Sequence, residues 1–184
     1  DGDTLAVASA DGCIYLYNND DYATKGKAGG RSGCILRFDF SDDSQWLRSV
    51  CTDYKLLYHN AATGEVNEAG STELKSVDWA TQCVNVGWHV HGIWPDEDDG
   101  VHIHACSLSS GICSNESPTL AVADSVGKLR LYNYPVPGGI EAEGGEGDGK
   151  RQPMCLEFRC HSSDVSNVCF TLGDKEIIST GAFF

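Results

Sequence analysis

The chain has 184 residues, 41% of them hydrophobic and 21 of them glycine, which fits one globular domain with a real core rather than a disordered chain. Its 27 acidic residues outnumber 13 basic ones, and a net charge of −14 repels phosphate backbones and anionic lipid, so neither nucleic acid nor membrane is an expected partner. Nine irregularly spaced cysteines, with no secretory signal at the start, argue against a disulfide scaffold and for a reducing cytosol, and no apolar run is long enough to span a bilayer.

In chain order, the first element is a hairpin. Leu5-Ala6-Val7-Ala8-Ser9 is followed by Asp11-Gly12 and then Cys13-Ile14-Tyr15-Leu16-Tyr17. Two β-prone runs around Asp-Gly predict a tight antiparallel turn, where glycine tolerates the positive φ. Cys34-Ile35-Leu36-Arg37-Phe38-Asp39-Phe40 alternates as a strand, and Leu47-Arg48-Ser49-Val50-Cys51 then leads through Asp53 into Lys55-Leu56-Leu57-Tyr58. Val101-His102-Ile103-His104-Ala105-Cys106 alternates again. Leu120-Ala121-Val122-Ala123 leads through Asp124 and Gly127 into Lys128-Leu129-Arg130-Leu131-Tyr132. A last pair is Val165-Ser166-Asn167-Val168-Cys169-Phe170 and Ile177-Ile178-Ser179-Thr180.

Three of these second strands close on one tripeptide shape, Leu16-Tyr17-Asn18, Leu57-Tyr58-His59 and Leu131-Tyr132-Asn133. Tyr17 and Tyr58 are 41 positions apart, within the roughly 40–45 residues of one WD40 propeller blade. Tyr58 and Tyr132 are 74 apart, and the excess of about 30 residues falls between 72 and 100. Leucine and tyrosine are expected to fill space between neighbouring blades, and the polar residue stands where a WD40 repeat carries the Asp of its Trp-Asp pair. A generic β-sandwich is the competing architecture; the tripeptide at blade spacing favours an all-β, WD40-type propeller, as a partial ring. Residues 1–30 form an incomplete blade, 31–71 a blade, 72–100 a connector, 101–160 a blade with a disordered Gly/Glu-rich insertion at 138–151, and 161–184 the start of a further blade. The blade-signature residues are Asp11, Gly12, Tyr17, Tyr58, Asp124, Gly127 and Tyr132. The chain opens without an initiator methionine and stops just after a strand, so it reads as part of a larger protein. Two full blades and two incomplete ones cannot close a ring: either further chain completes it, or its open ends pair with other copies.

The connector carries Val77-Asp78-Trp79-Ala80-Thr81, then Gly87-Trp88-His89-Val90-His91-Gly92-Ile93-Trp94-Pro95, then the acidic run Asp96-Glu97-Asp98-Asp99-Gly100. This pattern resembles a connector in the second propeller of the echinoderm microtubule-associated protein-like family. The hairpin from Ala123 to Tyr132 and the stretch Ile177-Ile178-Ser179-Thr180-Gly181 are similar to that family as well. The chain departs from a usual blade opening, Gly-His, with Gly30-Arg31 and Cys160-His161. The family's coiled coil, associated with microtubule attachment, has no counterpart in these residues. The resemblance implies a non-enzymatic interaction scaffold of the cytoplasm and cytoskeleton, with tubulin or microtubule-associated proteins as partners and no cofactor. Trp79, Trp88, Gly92, Trp94 and Pro95 are then mainly structural, with Trp88 and Trp94 packing the connector onto a blade; the other reading of the tryptophans is an exposed peptide-binding surface.

Rival chemistry rests on His102, His104 and Cys106, which alternate and so would share one face of a strand. A zinc-binding β protein would use them, with Cys51, Cys83 or Cys113 as a further ligand, although no Cys-x-x-Cys spacing fixes a site. A generic WD40 adaptor unrelated to tubulin is the remaining alternative. No catalytic residue is expected.

Overall fold

The computed structural model describes residues 2–29, 33–94, 100–111, 117–138 and 153–182. Among the described residues the fold is all-β apart from two short helices, and the chain divides into two compact units, Asp1–Val84 and Asn85–Phe184.

The first unit contains two antiparallel sheets. One is β1 (Thr4–Ala8), β2 (Cys13–Asn18) and β3 (Thr24–Gly29), in that order. The other is β4 (Ile35–Phe40), β5 (Trp46–Cys51) and β6 (Leu56–Asn60), again in order. Ile14, Leu16 and Ala28 from the first sheet pack with Leu47 and Ala61 from the second, with Ile35, Phe38 and Phe40 at the margin. Beside β6 a single bridge forms, between His59 and Val66. The chain turns tightly at Gly64, whose φ is +77° and whose missing Cβ leaves room for the Lys27 carbonyl. The one-turn helix α1 (Gly70–Glu73) follows, its first residue pressed against the Tyr58 ring.

The second unit opens with a 3-10 helix (Trp88–Ile93). A four-stranded sheet follows, in the order β10-β9-β8-β7, from β7 (Ile103–Leu108), β8 (Thr119–Asp124), β9 (Lys128–Asn133) and β10 (Cys155–Arg159). The pair β11 (Val165–Phe170) and β12 (Ile177–Gly181) packs on its inner side: Val165 and Val168 meet Ala105, Ala121, Ala123 and Leu129. The alanines are what allow so close an approach of two sheets. A second cluster buries Val90 and Ile93 of the 3-10 helix among Ile103, Cys106, Leu120, Val122, Tyr132 and Val136.

The predicted strand from Val101 to Cys106 starts two residues later in the structure and carries a register shift between Ile103 and Ala105. His102 remains tied to the neighbouring turn, its N–H donating to Ser125 Oγ at 3.0 Å and its carbonyl accepting from the Ser125 N–H at 2.9 Å. Pro95, the acidic run 96–99, Gly30-Arg31, Cys113 and most of the expected insertion, 139–151, lie outside the described residues. Among the described residues no helix is long and apolar enough to cross a membrane.

Candidate functional site

The hairpin turns are built by aspartates. Asp11 Oδ1 accepts the Cys13 N–H at 3.1 Å and Oδ2 accepts the Tyr15 hydroxyl at 2.7 Å, with Gly12 at φ +79°. That tyrosine bond, followed by one from Ser9, holds the Asp11 carboxyl below its usual range. Asp124 does more, because it is buried: Oδ1 accepts the N–H groups of Val126 and Lys128 at 3.0 and 2.8 Å, and Oδ2 lies 3.2 Å from Arg130 Nη2. Gly127, at φ +84°, faces backbone: a Cβ there would sit 2.4 Å from the His161 carbonyl oxygen. His161, at the second irregular blade opening, keeps its Nε2 2.9 Å from Ser179 Oγ.

The signature tyrosines differ from the expected filling between sheets. Tyr58 lies 6.0 Å from the Trp79 ring, and burial raises its pKa. Tyr132 sits in the cluster beneath the 3-10 helix, where burial first and the neighbouring Cys155 second raise its pKa strongly. Both rings meet the segment that follows or caps their sheet. Tyr17 is half-buried on β2. The leucines fill the space between sheets, Leu16 in the first unit and Leu131 in the second.

The connector is fastened by charge. Asp39 and Arg48 are directly opposed on β4 and β5, and both are buried. Arg48 donates to Asp39 Oδ2 from Nε at 3.1 Å and from Nη2 at 2.9 Å, and Nη2 also donates to Gln82 Oε1 at 2.7 Å. The same carboxylate accepts the Thr81 hydroxyl at 2.6 Å and the N–H groups of Cys83 and Val84 at 2.8 and 3.0 Å. The guanidinium lies 4.2 Å from the centre of the Trp79 ring, which is 5% exposed. Residues 79–84 are thereby locked to the β4–β5 pair. Burial, then the Asp39 charge, pushes the Cys83 thiol up to about 11, the opposite of what a nucleophile requires. Behind this group Ser49 Oγ lies 3.4 Å from Nε2 of the buried His59. Asp39, Arg48 and Gln82 were not picked out by motif, and His59 only as the polar residue that closes Leu57-Tyr58-His59. Their signal was an Asp and an Arg on the inward rows of two adjacent apolar strands, where an unpaired charge is not tolerated.

The second half of the connector carries an exposed tryptophan. Val90 and Ile93 anchor the 3-10 helix in the core, and two backbone bonds splice it to 134–138: the Val136 N–H donates to the His89 carbonyl and the Gly92 N–H to the Val136 carbonyl, both at 2.8 Å. Gly92 is needed there because a Cβ would fall 2.8 Å from Pro153 Cγ and 2.9 Å from the Pro137 carbonyl. Trp94 Nε1 donates to the Asn85 carbonyl at 2.7 Å and packs against the cluster. Trp88 departs from the expected core role: it is 43% exposed. As the first residue of a helix whose inward positions are Val90 and Ile93, it falls on the outward side. Its ring meets His89 edge to face at 5.1 Å, and His89 in turn stacks on Tyr134 at 6.0 Å and 9°.

The alternation proposed for zinc does not survive the bulge in β7. Cys106 is buried in the cluster, His104 Nε2 lies 3.7 Å from Asp164 Oδ2, and His102 is exposed before the strand. The register shift in β7 leaves Cys106 facing the cluster beneath the 3-10 helix and Ala105 facing β11 on the other side, with His104 beside Asp164, so the three side chains do not share a face. Among the described residues no group of three His, Cys, Asp or Glu side chains gathers with metal-binding geometry.

The family model described as the echinoderm microtubule-associated protein second beta-propeller matches residues 1–183. Echinoderm microtubule-associated protein-like 4 of Xenopus tropicalis is 34% identical over 98% of this chain, which spans 18% of that relative. The like-1 protein of Homo sapiens is 34% identical over 98% of the chain and 20% of its own length. The 77 kDa echinoderm microtubule-associated protein of Strongylocentrotus purpuratus is 35% identical over 98% of the chain and 24% of its own length. The chain thus spans about a fifth of the length of these relatives. Among solved structures, the β-propeller domain of Myceliophteria thermophila Cps50 (Swd1) superposes with a TM-score of 0.61 at 13% identity, over 98% of this chain and 59% of that one. The designed Ika8 protein superposes with a TM-score of 0.58 at 13% identity, over 98% and 53%. At such identities the likeness concerns the fold, and the four antiparallel sheets are those of a partial WD40-type β-propeller.

Proposed function

Because this chain belongs to the echinoderm microtubule-associated protein family, as a segment of its second β-propeller, we propose that it is a non-enzymatic interaction scaffold of the cytoplasmic cytoskeleton, with tubulin or microtubule-associated proteins as partners. The match of the second-propeller family to residues 1–183 carries this reading. The relatives' names associate them with microtubules, and the chemistry of the chain agrees with a scaffold. Its buried polar groups are spent on static bonds, as around Asp39, and Cys83, the thiol nearest that network, is held protonated. The net charge of −14 opposes nucleic acid and anionic membrane. On β1, Leu5 and Val7 are 39% and 45% exposed, and an apolar edge of that kind favours pairing with another strand, so self-association belongs to the same reading. Co-sedimentation with purified microtubules tests the proposal, using the parent-length protein and a version lacking this segment. A loss of pelleted protein on deletion is expected; an unchanged pellet removes tubulin from the partners of this segment.

A further inference from the structure

The outward row of the 3-10 helix has features that a connector does not require. Fastening is done by Val90, Ile93 and the Trp94 Nε1–H bond on the inner side. Trp88, at 43% exposure, adds little to that packing, yet its ring is held in a fixed series with His89 and Tyr134, at 5.1 and 6.0 Å between successive centres. The backbone beneath is spliced by two 2.8 Å hydrogen bonds, and Gly138 lies so close to His91 that a Cβ there would fall 2.5 Å from Nδ1. A platform of aromatic rings on a rigid base binds with little ordering cost, which is the setting in which aromatic residues dominate interface energies.

The charge of the molecule indicates what such a platform would take. The chain carries −14, and its sequence runs on from Trp94 through Pro95 directly into Asp96-Glu97-Asp98-Asp99. An acidic surface attracts a basic segment from a distance, and an indole face then holds a guanidinium by cation–π attraction. The first half of the same connector uses this pairing internally, with the Arg48 guanidinium 4.2 Å from the Trp79 ring centre. We infer that the Trp88–His89–Tyr134 platform is a docking site for an arginine-bearing basic segment of a protein partner. The inference rests on the scaffold reading and gives it a site and a ligand chemistry.

The test uses the 184-residue chain and a fluorescein-labelled peptide of alternating arginine and serine, read by anisotropy at low and at physiological salt. A control peptide replaces each arginine by glutamine. Protein labelled with 5-fluorotryptophan, in which the W88F spectrum identifies the Trp88 resonance, reports whether that ring is touched. The expected result is saturable binding that weakens about tenfold in W88A, is largely kept in W88F, disappears with the glutamine peptide and shifts the Trp88 resonance. Thermal melts of W88A matching the parent show that the loss is not one of folding. Equal binding by W88A and the parent, or no binding of the arginine peptide at all, overturns the inference. Neither result touches the scaffold reading, which falls only to the co-sedimentation experiment.

Discussion

Asp39 gathers five donor contacts onto one buried carboxylate, two from Arg48, one from Thr81 and two from the backbone at Cys83 and Val84. Removing its charge strands a cation, so Asp39→Asn is expected to lose about 3–5 kcal/mol of stability in urea denaturation. The new amide would also aim an N–H at a group that is itself a donor. Arg48→Met leaves the carboxylate with its other three donors and is expected to cost less than Asp39→Asn, an order that the same experiment checks. Cys83 provides a pH signature. Its thiol titrates at about 11 in the fold against an ordinary 9.0, so between those values the unfolded chain loses its proton first. Stability from this group is fully present below about pH 9 and is lost as pH rises through about 11. Cys83→Ala is therefore expected to flatten the decline of the urea midpoint across that interval. Tyr58 and Tyr132, both with raised pKa values, still destabilise the variant at higher pH.

Among the elements, β8 and β10 are opposites within one sheet. β8 lies between β7 and β9 with Leu120, Ala121, Val122 and Ala123 all at 0–1% exposure, whereas β10 is an edge with Leu156 and Phe158 at 64% and 50%. Amide hydrogen exchange is expected to be slow along β8 and faster along β10, since an edge with little buried apolar area opens locally at lower cost. The turn between β8 and β9 supplies a sharper test. Gly127→Ala combines a φ of +84° with a Cβ 2.4 Å from the His161 carbonyl oxygen. It is expected to lose at least about 2 kcal/mol in the same denaturation assay. The Cys160 and His161 N–H groups both donate to the Gly127 carbonyl, so their exchange should accelerate in that variant.

For the whole molecule, a net charge of −14 on 184 residues is a standing self-repulsion. Added sodium chloride is expected to raise the urea midpoint by screening it, and to weaken capture of basic peptides at the same time. These opposite trends separate the electrostatics of the fold from those of recognition. A scaffold that meets partners through an acidic surface gains mainly in encounter rate and in rejection of acidic partners, with the affinity left to a few buried anchors.

Much of the architecture was legible in the chain alone. Asp-Gly turns, the Leu-Tyr-polar tripeptide and its 41-residue spacing are local chemistry, and each specifies a strand or a turn whatever surrounds it. What those strands touch was decided elsewhere. The pentapeptide Thr-Leu-Ala-Val-Ala occurs twice, at Thr4–Ala8 and within β8 at Thr119–Ala123, and both copies are strands. In β8 its leucine and valine are 0% and 1% exposed; in β1, paired on one side only, Leu5 and Val7 are 39% and 45% exposed. Trp88 follows the same rule, for a tryptophan two residues from a buried valine on a 3-10 helix has no means within its sequence of showing which side the core will take. His102, His104 and Cys106 alternate in the sequence, but one bulge in β7 dispersed them. The Asp39 network is the converse, since its donors come from residues 40 or more positions away as well as from the facing strand. Backbone preference is set by each residue and its neighbours in the chain, so sequence determined the strands and turns. Burial, partner choice and the meeting of distant charges depend on which surfaces fold together, and only the tertiary structure decided them.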